Sequence, residues 1–137
     1  RHAILHNAQF IIAPNFSREV AVMCNRYQIP YAPGCTTLTE ALQALEAGAA
    51  FIKAFPISDF YGPRLVSVFK TPIPYMPILA SGGIDLKNLK DYVLRGVDCC
   101  GFGSLLTKGS REEIAANARS IRTLIDEARL EMQTTVG

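Results

Sequence analysis

"GAAFIKAFPISDFYGP", residues 48–63, sets a lysine inside an apolar run. Phe51 and Ile52 precede Lys53, and Ala54 and Phe55 follow it. The run is too short for a helix and is bounded by glycine and proline, so it reads as a strand. Side chains alternate along a strand, so Phe51, Lys53 and Phe55 share one side while Ile52 and Ala54 point the other way, toward covering helices. Lysine is rarely buried without a reason. Desolvation lowers the pKa of an amine, and a neutral amine is a nucleophile able to form a Schiff base with a ketone. The competing reading is an edge-strand lysine that snorkels to water.

The rest of the chain repeats this layout. Further apolar runs lie at Phe10–Ala13, Tyr31–Ala32, Pro77–Ala80 and Cys99–Phe102. Helical spacing occupies the intervals: Val20, Met23, Cys24 and Tyr27; Leu38, Ala41, Leu42 and Leu45; and Ile114, Ala118, Ile121, Ile125 and Ala128. Thr37 and Glu40 have capping-box spacing, and Gly48 and Gly96 sit where helices would stop. Strands alternating with helices predict βα units on a parallel sheet, an α/β fold. About five units fit, either as a doubly wound sheet or as part of an eight-stranded barrel. No linker or low-complexity stretch divides the chain, which predicts one domain over residues 1–137.

Composition excludes several classes. Of 137 residues, 49% are hydrophobic and 19% charged, which argues against disorder. A net charge of +2 without a basic cluster argues against a nucleic-acid partner. The apolar runs fall far short of a membrane span, and no signal peptide is visible. The cysteines, Cys24, Cys35, Cys99 and Cys100, form no C-x-x-C pair. They read as reduced core residues of a cytoplasmic protein rather than as a redox pair at Cys99–Cys100. His2 and His6 are spaced i, i+4 but lack a third ligand, so no metal site is expected. The first residue is Arg1, and "RHAILHNAQ" reads like the tail of a helix.

In either α/β architecture, function gathers at the carboxyl ends of the strands. In "ILASGGIDLKN", residues 78–88, Gly82 and Gly83 follow a strand and precede a helix that Asp85 would cap. Their N–H groups and the helix start would suit a phosphate; equally, two glycines make a tight connection. In "CGFGSLL", residues 100–106, Gly101, Gly103 and Ser104 close the next strand in the same manner. Neither turn matches a nucleotide fingerprint. Pro14 in "APNF" and Pro33–Gly34 in "APGC" end strands at the same face. Asp59 is a loop acid or solvated surface.

Taken together, "YAPGCTTLTEALQALEAGAAFIKAFP", then "GP", "ASGGI…N" and "GFGSLL" resemble the 2-keto-3-deoxy-6-phosphogluconate / 4-hydroxy-2-oxoglutarate aldolase family from about Phe10 to about Leu106. The resemblance implies a class I aldolase on a (β/α)8 TIM barrel, a homotrimer that cleaves a 2-keto-3-deoxy sugar acid to pyruvate and an aldehyde, often glyceraldehyde 3-phosphate. It matches Lys53 to the Schiff-base lysine, and Pro14 and Phe55 to residues lining the pyruvate pocket. Ser81 stands where the family usually has threonine, and Gly82, Gly83, Gly103 and Ser104 match the phosphate-binding turns. The partner implied is a small keto acid, with no metal or organic cofactor, because the lysine supplies the electron sink.

The resemblance also implies barrel strands before Phe10, carrying a general acid/base glutamate, an arginine and a threonine-containing turn. These have no counterpart here, so only about the last five βα units are expected in this chain, as a piece of a longer protein. Glu40 is no substitute, since its spacing marks a helix cap. Two other readings remain at this level. One is another phosphate-binding barrel enzyme, of the sugar-phosphate epimerase or thiamine-phosphate synthase type. The other is a truncated barrel that acts as an interaction module.

Overall fold

Each apolar run becomes a strand in the computed structural model, which describes residues 1–56 and 60–135. Asp59 lies outside the described residues. The strands are β1 (Ile11–Ala13), β2 (Tyr31–Cys35), β3 (Ile52–Ala54), β4 (Ile78–Ser81) and β5 (Cys99–Gly101). The helices are α1 (His2–Leu5), α2 (Arg18–Arg26), α3 (Leu38–Glu46), α4 (Arg64–Lys70), α5 (Leu89–Leu94), α6 (Ser104–Thr107) and α7 (Arg111–Thr135). All strand pairs are parallel, in the spatial order β1-β2-β3-β4-β5. An order that never reverses has no switch point. This removes the doubly wound alternative and leaves a singly wound half-barrel.

Local chemistry sets the helix ends as the sequence predicts. The Thr37 hydroxyl accepts from the Glu40 N–H while the Glu40 carboxylate accepts from the Thr36 and Thr37 N–H groups, a complete capping box. Those bonds to the charged form hold the Glu40 carboxyl below its ordinary value. Gly48 and Gly96 both take positive φ at helix ends, which only glycine does cheaply.

The sheet is two-sided. Ile52, Ala54, Ile78 and Ala80 are fully buried beneath the helices, packed with Leu65, Phe69, Leu89 and Tyr92. On α7, Ile121 and Ala128 complete this core, whereas Ala118 of the expected stripe faces solvent. The alternate residues, among them Ile12, Lys53, Leu79 and Cys99, line the inner face. There Phe10 is 63% and Ile12 46% exposed. Cys99 therefore does not join the core, in contrast to the reading of all four cysteines as core residues. It is exposed on the inner face, while Cys24 and Cys35 are buried. Burial pushes the Cys35 thiol up to about 12 and that of Cys100 up to about 11.

β2 runs three residues beyond the expected Ala32, through Pro33 and Gly34 to Cys35. Gly34 is required by a close approach: a Cβ there would overlap the Pro14 carbonyl, which passes directly over it. The obstacle is backbone on both sides, so neither partner yields by a rotamer change. Gly34→Ala should destabilise the protein by about 1–3 kcal/mol, as overpacking does. Urea unfolding would read this as a lower midpoint at unchanged slope.

Candidate active site

At the carboxyl end of β3, β4 and β5 the inner face opens into a cleft of about 450 Å³. β3 contributes Lys53 and, just beyond it, Phe55; β4 contributes Ser81 and the Gly82–Gly83 turn. β5 contributes Gly101 and the turn that carries Gly103 and Ser104. The cleft thus gathers seven of the eight residues that the resemblance matches to a substrate or phosphate site. The eighth, Pro14, is exposed at the end of β1, two strands from β3, and does not line the cleft. Ile84, Phe102 and Leu105 form its apolar margin.

Lys53 is held by the pleat. Its neighbours Ile52 and Ala54 have no exposed surface, so the lysine is directed to the inner face, where it is half-buried. Its Nζ lies 4.1 Å from the centroid of the Phe55 ring. The second expected ring, Phe51, lines a separate apolar groove lower on the inner face, with Phe10, Ile12 and Leu79. Burial pushes the Lys53 amine down from the ordinary lysine value. The face of Phe55 attracts positive charge on nitrogen and moderates that shift. Phe55 is itself fixed: its N–H donates to the Cys35 carbonyl at 3.2 Å, and its carbonyl accepts from the Thr36 hydroxyl at 2.6 Å. Thr36 was not singled out from sequence, because its contact is made 19 residues away.

The two glycine turns present donors. Gly82 and Gly83 have φ of +92° and +70°. Among the described residues, the N–H groups of Gly82, Gly83, Ile84, Gly103 and Ser104 donate to no protein acceptor. Among the described residues, the cleft lining carries one cation and no carboxylate. The expected contribution of the helix start is corrected: α5 begins at Leu89, and Asp85 caps the turn ahead of it by accepting from the Lys87 and Asn88 N–H groups. The turn itself, not the helix, lines the cleft.

No group of three metal-ligating side chains is gathered among the described residues. The His6 Nδ1–H donates to the His2 carbonyl at 2.8 Å, so that pair is locally engaged. No helix among the described residues is long and apolar enough to cross a membrane.

The sequence profile described as KDPG and KHG aldolase matches residues 2–121. The chain belongs to the KDPG and KHG aldolase family. The 2-dehydro-3-deoxy-6-phosphogalactonate aldolase of Escherichia coli is 38% identical over 104 residues, covering 75% of this chain and 50% of that protein. The solved native KDPGal structure superposes with a TM-score of 0.83 at 35% identity, over 90% of this chain and 61% of that one. A KDPG aldolase from Legionella pneumophila, with pyruvate captured as a covalent carbinolamine intermediate, gives a TM-score of 0.69 at 28% identity, over 91% of this chain and 58% of that one. The chain spans about half the length of the curated relatives it matches.

The depressed Lys53 amine yields a measurable consequence. Competitive acylation across pH should show Lys53 titrating below the ordinary lysine value. The same depression means that the folded state releases the Lys53 proton at lower pH than the unfolded chain does. The cost of holding the ammonium is therefore full below the folded pKa and fades as pH rises toward the unfolded value. Lys53→Met should accordingly raise stability at neutral pH, and the gain should shrink as pH approaches 10.5; equal gains at both ends would contradict the assignment.

Proposed function

We propose that the protein is a class I aldolase that cleaves a 2-keto-3-deoxy (phospho)sugar acid or 4-hydroxy-2-oxoglutarate to pyruvate and an aldehyde, with Lys53 as the Schiff-base nucleophile. The observation that carries this reading is the half-buried Lys53 amine over the Phe55 ring, in a cleft that also gathers two glycine turns with unpartnered N–H groups. Neutral Lys53 Nζ adds to the C2 ketone of the substrate, and loss of water gives an iminium. The iminium withdraws the electron pair of the C3–C4 bond as the C4 hydroxyl loses its proton, releasing the aldehyde and leaving an enamine. Protonation of the enamine at C3 and hydrolysis of the iminium return pyruvate and free Lys53.

Each lining residue has a part in this. The Phe55 face stabilises the cationic nitrogen of the iminium without competing as a nucleophile. Ser81 offers a hydroxyl to the keto-acid end, and the family resemblance extends the pyruvate pocket to Pro14. Gly82, Gly83, Gly103 and Ser104 would hold the phosphate through their unpartnered N–H groups, without help from a metal. The likeness to a phosphogalactonate aldolase supports a phosphorylated sugar acid. The carbinolamine trapped in the Legionella relative is the adduct that precedes an iminium.

The finer architecture belongs to the same proposal. The unreversed strand order, the uncovered apolar inner face and the share of the relatives' length that is matched support one domain that forms the last five units of an eight-stranded barrel. The missing strands would bring the acid/base glutamate, arginine and threonine turn over the cleft. The family resemblance adds a homotrimer, and the cysteine usage a cytoplasmic location.

Borohydride reduction in the presence of pyruvate tests the chemistry. One reduced adduct is expected, mapping by peptide mass to Lys53 in the full chain and absent from Lys53→Ala. A folded parent protein that forms no adduct, or an adduct that persists in Lys53→Ala, would sink the proposal.

A further inference from the structure

Two adjacent glycines lack the Cβ that restricts other residues, yet the Gly82–Gly83 turn is held from one side. The Asn88 side chain reaches back five residues, and its Nδ2–H donates to the Gly83 carbonyl at 2.9 Å. Its Oδ1 accepts from the Asp85 N–H at 2.9 Å. Asp85 answers by accepting from the Lys87 N–H at 2.8 Å and the Asn88 N–H at 3.0 Å. Asp85 and Asn88 therefore form a reciprocal box on the chain that leaves the turn. One bond of this box reaches back toward the cleft, and it ends on Gly83, which lines it.

That bond has a directional effect. Donation to the Gly83 carbonyl fixes the plane of the Gly83–Ile84 peptide, and so the direction of the Ile84 N–H. Through ψ of Gly83 it also restrains the Gly82–Gly83 peptide. Gly82 meets little that would otherwise restrict it: the nearest obstruction to an added Cβ is the Phe55 ring at 3.8 Å. Two glycines without such a tether would have to be ordered by the ligand itself, at the expense of affinity.

We propose that Asn88 is a positioning residue for anion recognition: by holding the Gly83 carbonyl it fixes the turn that presents its N–H groups to a phosphate monoester, and so sets the preference for phosphorylated over unphosphorylated substrate. This rests on the reading of the turn as the phosphate subsite of an aldolase. Asn88 touches no reacting atom; it acts through Gly83.

The test compares condensation of pyruvate with glyceraldehyde 3-phosphate and with glyceraldehyde, in the full chain, for the parent, Asn88→Ala and Asn88→Asp. Asn88→Asp keeps an acceptor for the Asp85 N–H but has no donor for Gly83, so it separates the tether from the cap. Both variants should lower the ratio of kcat/KM for the phosphorylated over the unphosphorylated aldehyde by about five- to tenfold, the range that loss of one ordinary hydrogen bond allows. Glyceraldehyde serves as the internal reference. Rates for the two aldehydes falling in parallel, or an unchanged ratio, would show a merely structural role and overturn the proposal. An amide-resolved titration of the parent with inorganic phosphate separates the two layers. Shifts at Gly82, Gly83 and Ile84 with an unchanged ratio overturn the role of Asn88 alone. Absence of those shifts overturns the phosphate reading of the turn and the proposal with it.

Discussion

The pleat of β3 is the constraint on which the site depends. Ile52 and Ala54 have no exposed surface, and each sits in a core built from the covering helices. Fully burying a side chain such as that of Ile52 is worth about 1.5–3 kcal/mol, and the lysine keeps part of its hydration on the inner face. The two buried neighbours therefore decide the orientation, and Lys53 takes the inner face because no alternative register keeps both of them covered. A slip of one residue would place the amine among Phe69 and Tyr92 and expose two core positions.

The same two-sidedness governs what surrounds the amine. At the lower end of the sheet, Asp98 accepts from Lys70 Nζ at 2.7 Å and from the Ile78 N–H at 2.8 Å, tying α4 to the starts of β4 and β5. At the upper end, the strands run out into turns whose N–H groups are unspent. Saturation at one end gives rigidity, and unspent donors at the other give a place where an anion replaces the missing acceptors. Lys53 is the only charged group among the described residues that line the cleft.

Much of this was legible in the sequence because it is local. Short apolar runs bounded by glycine and proline located all five strands, and the alternation around Lys53 gave its face directly. The capping box of Thr37 and Glu40 was equally readable. Other features depended on contacts between distant segments. Pro33 and Gly34 read as strand breakers, yet both lie in β2, because the Pro14 carbonyl needs the space above Gly34. Cys99 read as core because an apolar neighbourhood does not say which face of the sheet is covered. Pro14 does not line the cleft formed by β3, β4 and β5, because it ends β1, two strands from Lys53. The Asp85-x-x-Asn88 spacing is that of a reciprocal cap, a signal that was present, although its tie to Gly83 emerges only from the folded turn.

The arrangement of strands also acts as a ruler. Lys53 is on β3, the first glycine turn follows β4 and the second follows β5, and neighbouring strands lie about 4.7–4.9 Å apart. The amine and the donors are therefore separated by one to two strand spacings, about 5–10 Å. A keto carbon attached to Lys53 would thus have its distal phosphate delivered to the turns only if the intervening chain were several carbons long and extended. A short keto acid such as pyruvate reaches the amine but not the turns, so it engages only part of the cleft. On the proposed reaction this is a useful asymmetry. The cleaved aldehyde keeps the phosphate and the contacts to β4 and β5, while the pyruvate half remains covalently on β3. Breaking the C3–C4 bond then divides the substrate between two separately anchored sites, and each fragment leaves by releasing its own anchor.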